Sequence, residues 1–110
     1  MSHKVVILES AINDIASIYD YIELNDSGDK AEYVLEELEK CINSLAELQS
    51  RGRNVEELAK QGIVLDNTRQ TSFKPYRIIY SIEGKVFKVK MVVDGRRDLE
   101  DILMERLLRA

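Results

Sequence analysis

The chain has 110 residues, 45% hydrophobic and 33% charged, enough for one folded domain spanning 1–110 and ordinary for a non-membrane protein. One histidine and one cysteine, Cys41, leave neither an internal disulfide nor a zinc cluster, so no metal and no cofactor is expected. The net charge of −4 hides an asymmetry: residues 1–50 carry three bases against eleven acids, and residues 51–110 carry thirteen bases against nine acids.

Val5-Val6-Ile7-Leu8 is an apolar run of strand length, which predicts a strand over Lys4–Glu9 with Ser10 as the N-cap of the next helix. No run approaches the roughly 20 apolar residues of a membrane span, and a basic and apolar leader is missing, so a cytoplasmic protein is expected. From Ala11 to about Asn25, Ile12, Ile15, Tyr19 and Ile22 recur every three or four residues and predict an amphipathic helix stopped by Asn25-Asp26-Ser27-Gly28. A second helix is expected from about Asp29 to Gln49, with Ala31, Val34, Leu35, Leu38, Ile42, Leu45 and Leu48 inward. Together the two predict an antiparallel helical hairpin.

Asn54-x-x-Glu57 reads as a capping box opening a short helix to about Lys60, closed by Gly62. Strands are then expected from Val64 to about Phe73, from Tyr76 to Ile82 after a break at Pro75, and from Val86 to Val93 after a Glu83-Gly84 turn. In the last of these, strict alternation puts Phe87, Val89, Met91 and Val93 on one face and Lys88 and Lys90 on the other. Asp98 is placed to cap a terminal helix from Leu99 to about Arg109, with Leu99, Ile102, Leu103 and Leu107 apolar. The result is an α+β fold, a helical hairpin packed on a small, mostly antiparallel sheet, in the order β-α-α-(short α)-β-β-β-α.

The concentrated chemistry is basic. Between 69 and 97 lie Arg69, Lys74, Arg77, Lys85, Lys88, Lys90, Arg96 and Arg97, opposed only by Glu83 and Asp94. The simplest picture is a sheet with one basic face that attracts phosphate or acidic protein. Asp94 and Asp98 flank the Arg96-Arg97 pair and can hold it by charge-assisted hydrogen bonds.

The element order, Ala11-Ile12-Asn13-Asp14-Ile15 in the first helix, Tyr76-Arg77-Ile78-Ile79-Tyr80 and then Gly95-Arg96-Arg97 resemble the ParE/RelE superfamily of bacterial type II toxins over nearly the whole chain. That resemblance implies a cognate antitoxin, a homodimer or a toxin–antitoxin heterotetramer, and a role in plasmid maintenance or stress response. RelE-like members look like ribosome-dependent mRNA endonucleases that need proton-transfer groups and cations. Arg77 and Arg97 match the cationic positions, with Arg69 and Lys74 as stand-ins for lysines. Thr68 and Gln70 occupy the family's lysine positions, however, and about Leu103 stands where a tyrosine would be. Arginine, with a pKa above about 12, is a poor general acid or base. ParE-like members instead poison DNA gyrase, and this chain resembles that branch more, with Arg77, Arg96, Arg97 and Asp98 as the expected target surface. Leu99, Ile102, Leu103 and Leu107 form an apolar strip that could accept an antitoxin helix or pack on the chain's own sheet. A third reading is a degenerate, non-toxic module that still binds antitoxin.

Overall fold

The computed structural model describes residues 4–48, 67–96 and 99–108, together with Val55 and Gly62. Its elements are β1 (Lys4–Ile7), α1 (Glu9–Asn25), α2 (Gly28–Leu48), β2 (Thr68–Phe73), β3 (Tyr76–Glu83), β4 (Val86–Asp94) and α3 (Leu99–Leu108). The expected short helix at 54–60, the start of a strand at Val64 and the Asp98 cap lie outside the described residues.

The hairpin forms for the reasons its spacing implies. Ala11, Ile15, Ile18 and Ile22 of α1 and Ala31, Val34, Leu38, Ile42 and Leu45 of α2 recur at three- and four-residue intervals, and they pack into one core. Ile12, expected inward, is 52% exposed because Ala11 takes the buried position beside it. Between the helices, the Asp26 N–H donates to the Ile22 carbonyl at 2.8 Å, and the Ser27 hydroxyl accepts from the Lys30 N–H at 3.1 Å. Ser27 is therefore the N-cap of α2. Ser10 caps nothing: α1 already starts at Glu9, its N-cap is Leu8 with no side-chain bond, and the Ser10 hydroxyl donates instead to the Lys90 carbonyl at 2.8 Å.

The four strands lie in the order β1-β4-β3-β2, with β1 parallel to β4 and the other neighbours antiparallel. Gly84, at φ +63°, makes the β3–β4 turn with Lys85; a left-handed residue at a two-residue hairpin favours glycine.

Alternation along β4 does not run unbroken. Tyr80 pairs with Val89 and Ile79 with Met91, so Lys90 is an extra residue without a partner on β3, a β-bulge. Before it, Phe87 and Val89 face the hairpin. After it the faces exchange: Val92 joins the hairpin core, while Met91 and Val93 join a second cluster with Val55, Ile79 and Leu103 on the far side. The expected single face of Phe87, Val89, Met91 and Val93 is thus corrected by one inserted residue. The sheet is a middle layer, with the hairpin on one face and α3 with Val55 on the other.

Candidate interaction site at the arginine end of the sheet

Cross-strand partners share a face, so the strand register assigns the paired cations of the sheet to a side. Arg77 alternates with the hairpin-facing Tyr76 and Ile78 and stands on the far face, opposite Val93 and Ser72. Arg69, paired with Tyr80, stands on the hairpin face, where its Nη1 donates to the Thr68 carbonyl at 3.0 Å. Lys88, on the far face with Ser81, reaches Glu83 at 3.0 Å. Lys74 and Lys85 sit in the turns at the two ends of β3. The expected single basic face is therefore not formed, because the strand register sends Arg69 to the hairpin face and Arg77 and Lys88 to the far face. Arg97 and Asp98 lie outside the described residues.

At the end of β4 the bulge has set Asp94 on the hairpin side, opposite Tyr76. There its carboxylate captures Arg96 with Nε–H to Oδ1 at 3.0 Å and Nη2–H to Oδ2 at 2.7 Å, and it also accepts the Arg96 backbone N–H at 2.9 Å. This planar, two-pronged pairing fixes the guanidinium orientation as a single contact could not. Hydrogen bonding to Asp94, and then its charge, raise the pKa of Arg96. On the other side of the strands, the far face, Gly95 gives the backbone room. A Cβ there would lie 2.8 Å from the Pro75 carbonyl oxygen and 3.5 Å from Arg77 Nε, while the Gly95 N–H donates to that same carbonyl at 2.7 Å.

Arg96 and Asp94 form one wall of an open cleft of about 720 Å³ whose other walls are the C-terminal half of α1, the start of α2 and Tyr76. Lys30, held to Asp26 at 3.0 Å, lies at its α2 end. Burial, and then the Asp94 carboxylate, push the Tyr76 hydroxyl above its ordinary pKa, so it remains a neutral donor. Tyr21 on the cleft is 67% exposed, and Leu24 on the next turn of the same helix is 85% exposed. An exposed tyrosine on the same cleft as a doubly hydrogen-bonded guanidinium has the composition of a protein-binding surface, in which aromatics and arginine are enriched.

The apolar strip of α3 is divided. Leu103 is 0% exposed and packs on Ile79, Met91 and Val93, while Ile102 and Met104 lie half-buried against that cluster. The side chains of Leu99 and Leu107 lie outside the described residues. In this state Leu103 completes the chain's own core, the alternative left open by its spacing. Sequence reasoning assigned Asp14 no contact, yet it accepts the Val92 N–H at 3.0 Å and both of its oxygens accept from Arg106 of α3, at 2.8 and 2.9 Å. The available signal was Ser10 and Asp14 one helical turn apart, both polar, on a helix following a short strand.

As chemistry, the arrangement lacks a converged acid–base set among the described residues. Thr68 and Gln70 share the far face with Arg77, but they are uncharged and buried. Arg69 is on the opposite side. No three His, Cys, Asp or Glu side chains among the described residues come together as metal ligands, and no described helix is long and apolar enough to cross a membrane.

Comparison with known proteins places this geometry. No protein with a curated description matches the chain. Among solved structures it resembles the chromosomal ParDE toxin–antitoxin system from P. aeruginosa, at 15% identity and a TM-score of 0.68, covering 84% of this chain and 96% of that one. It also resembles an arginine-to-alanine double mutant of the E. coli toxin RelE in the free state, at 14% identity and a TM-score of 0.64, covering 99% and 98%. At such identities the likeness establishes the fold. The family model described as the ParE toxin of the type II toxin–antitoxin system parDE matches residues 5–99, and the chain belongs to that family.

Proposed function

We propose that this toxin arrests growth without chemistry of its own, by docking on DNA gyrase through Arg96, the adjoining Arg97 and Asp98, and Arg77 of the far face, and that a cognate antitoxin neutralises it. The observation that carries the reading is the Asp94–Arg96 pair. A guanidinium held by two prongs, on the same cleft as the exposed Tyr21, suits recognition of a protein surface. The acidic overall charge agrees with a protein target, since affinity for nucleic acid rests largely on phosphate neutralisation. The P. aeruginosa neighbour, described as a ParDE system, supports the antitoxin and the branch. Such a protein would work in the bacterial cytoplasm.

The RelE neighbour keeps a second reading in view, ribosome-dependent cleavage of mRNA with Arg77 and Arg97. Against it stand Arg69 and Arg77 on opposite faces and the uncharged Thr68 and Gln70 on the Arg77 side. The deciding assay adds antitoxin-free protein to gyrase, ATP and relaxed plasmid, with Arg96→Ala and Arg96→Ala/Arg97→Ala beside the wild type. Lost supercoiling with linear DNA accumulating, relieved in the variants, supports gyrase poisoning. Full supercoiling at excess protein rejects it and moves the test to mRNA on ribosomes, with Arg77→Ala as the variant.

A further inference from the structure

Ser10, Asp14 and Arg106 have no part in the target surface, yet they meet at one point of the fold. β1 ends at Ile7, and the last backbone bond along that side of β4 is from the Leu8 N–H to the Val89 carbonyl at 2.9 Å. β4 runs on to Asp94, and over this stretch its polar backbone is met by helix side chains. The Ser10 hydroxyl donates to the Lys90 carbonyl at 2.8 Å, and the Val92 N–H donates to Asp14 Oδ2 at 3.0 Å. Arg106 Nη1 then reaches round the sheet edge from α3 to both Asp14 oxygens, at 2.8 and 2.9 Å.

The two α1 contacts fall on the bulge and just after it. Lys90 is the inserted residue, and the bonds fall on Lys90 itself and on Val92. Without the insertion, alternation from Phe87 and Val89 would carry Met91 and Val93 to the hairpin side and turn Asp94 to the far face. Since Asp94 holds Arg96, the side on which Arg96 works is decided at Lys90. Bulges recur beside functional sites because they re-aim a side chain. An ion pair serving only to attach α3 would need no bond to the strand backbone.

We propose that Ser10, Asp14 and Arg106 are positioning residues, a clasp that fixes the Lys90 bulge and thereby aims the Asp94–Arg96 pair into the hairpin-side cleft. The functional part of this inference rests on the reading that Arg96 meets the target.

The test compares Asp14→Ala with Leu103→Ala, which loosens α3 and with it the hold of Arg106 but leaves the Ser10 and Asp14 bonds to β4 in place, in the full-length ¹⁵N-labelled protein. Two signals are followed: hydrogen exchange of the Val92 amide, and the side-chain Nε–H resonance of Arg96, which its bond to Asp94 shelters. Asp14→Ala is expected to speed Val92 exchange by about tenfold or more and to lose the Arg96 resonance to solvent exchange. Leu103→Ala is expected to keep both. If the alanine variant does not fold, Asp14→Asn replaces it. Its amide oxygen still accepts from Val92, so Val92 should stay protected while amides around Arg106 exchange faster. A folded Asp14→Ala protein with both signals unchanged overturns the proposal, as does equal loss in Leu103→Ala, or an Asp14→Asn protein unaltered around Arg106. In the gyrase assay, inhibition weakened in Asp14→Ala supports the clasp's role, and undiminished inhibition overturns it. If wild-type protein leaves gyrase untouched, the target reading fails, and the clasp stands or falls on the two signals alone.

Discussion

The two faces of the sheet are built differently. The hairpin face buries a continuous core from α1 and α2 through Tyr76, Ile78 and Tyr80 to Phe87, Val89 and Val92. Among the described residues, the far face has a smaller cluster around Leu103 at one end and polar residues at the other, where Ser81 and Lys88 both engage Glu83. Burial of apolar area dominates folding free energy, so among the described residues the hairpin face contributes the larger share. Truncating one fully buried residue on each side tests the asymmetry. Phe87, 1% exposed and with its ring centroid 5.9 Å from that of Tyr80 at a 50° tilt, should cost about 3–5 kcal/mol on mutation to alanine. Leu103→Ala should fall near the low end of the core range, about 2 kcal/mol, because it packs in the smaller of the two described clusters. Urea denaturation of both variants measures the difference, and equal losses would break the comparison.

A second prediction concerns the point where the two faces meet. Gly95 lies between the far-face Arg77 and the hairpin-facing Asp94, and an added Cβ would lie 2.8 Å from a backbone oxygen that cannot rotate away. Gly95→Ala should therefore cost about 1–3 kcal/mol, the range for forced overpacking. It should also separate the Gly95 N–H from the Pro75 carbonyl, which faster exchange of that amide would report. A neutral variant would mean that this end of the sheet yields more readily than the contact distances imply.

Legibility in the sequence divides at the same boundary. Apolar residues three and four apart foretold the hairpin, because helix periodicity is local and was confirmed by burial at Ala31, Val34, Leu38 and Ile42. The strands were legible as strands, but the side of each residue after Lys90 was not. A bulge is fixed by contacts distant in sequence, here Ser10 to Lys90 and Asp14 to Val92. The adjacent apolar pair Val92-Val93 was the one local sign that alternation had broken. Ser10 obeyed the capping rule in appearance only, since the open carbonyl of Lys90 competes for its hydroxyl. At the site, the Asp94–Arg96 bond could be read from two oppositely charged residues at a turn. That Arg77 and Arg96 start from opposite faces could not, because it depends on the bulge.

Capping offers a smaller contrast between two serines that look alike in sequence. Ser27 satisfies the Lys30 N–H at the start of α2, and Ser27→Ala should cost about 1 kcal/mol, the usual loss for a cap. Ser10→Ala should leave the helicity of α1 unchanged, since α1 has no side-chain cap to lose. Far-ultraviolet circular dichroism with urea denaturation separates the two. A drop in helicity for Ser10→Ala would restore it as the cap.

The smallest effect belongs to the polar end of the far face. Lys88, and then Ser81, hydrogen-bond the Glu83 carboxylate and hold its pKa below the usual glutamate value. A carboxyl group whose pKa is lower folded than unfolded adds stability above its unfolded pKa, and that stability is lost as pH falls through the folded one. The denaturation midpoint of wild type should therefore exceed that of Glu83→Gln slightly at pH 7, and the gap should close in the acid range below the ordinary glutamate pKa. Because Glu83 and Lys88 are both substantially exposed, added salt should shrink the pH 7 gap as well. A gap that widened on acidification would mean that the carboxylate destabilises this end of the sheet, and that the polar half of the far face is held together by Ser81 and its neighbours without the ion pair.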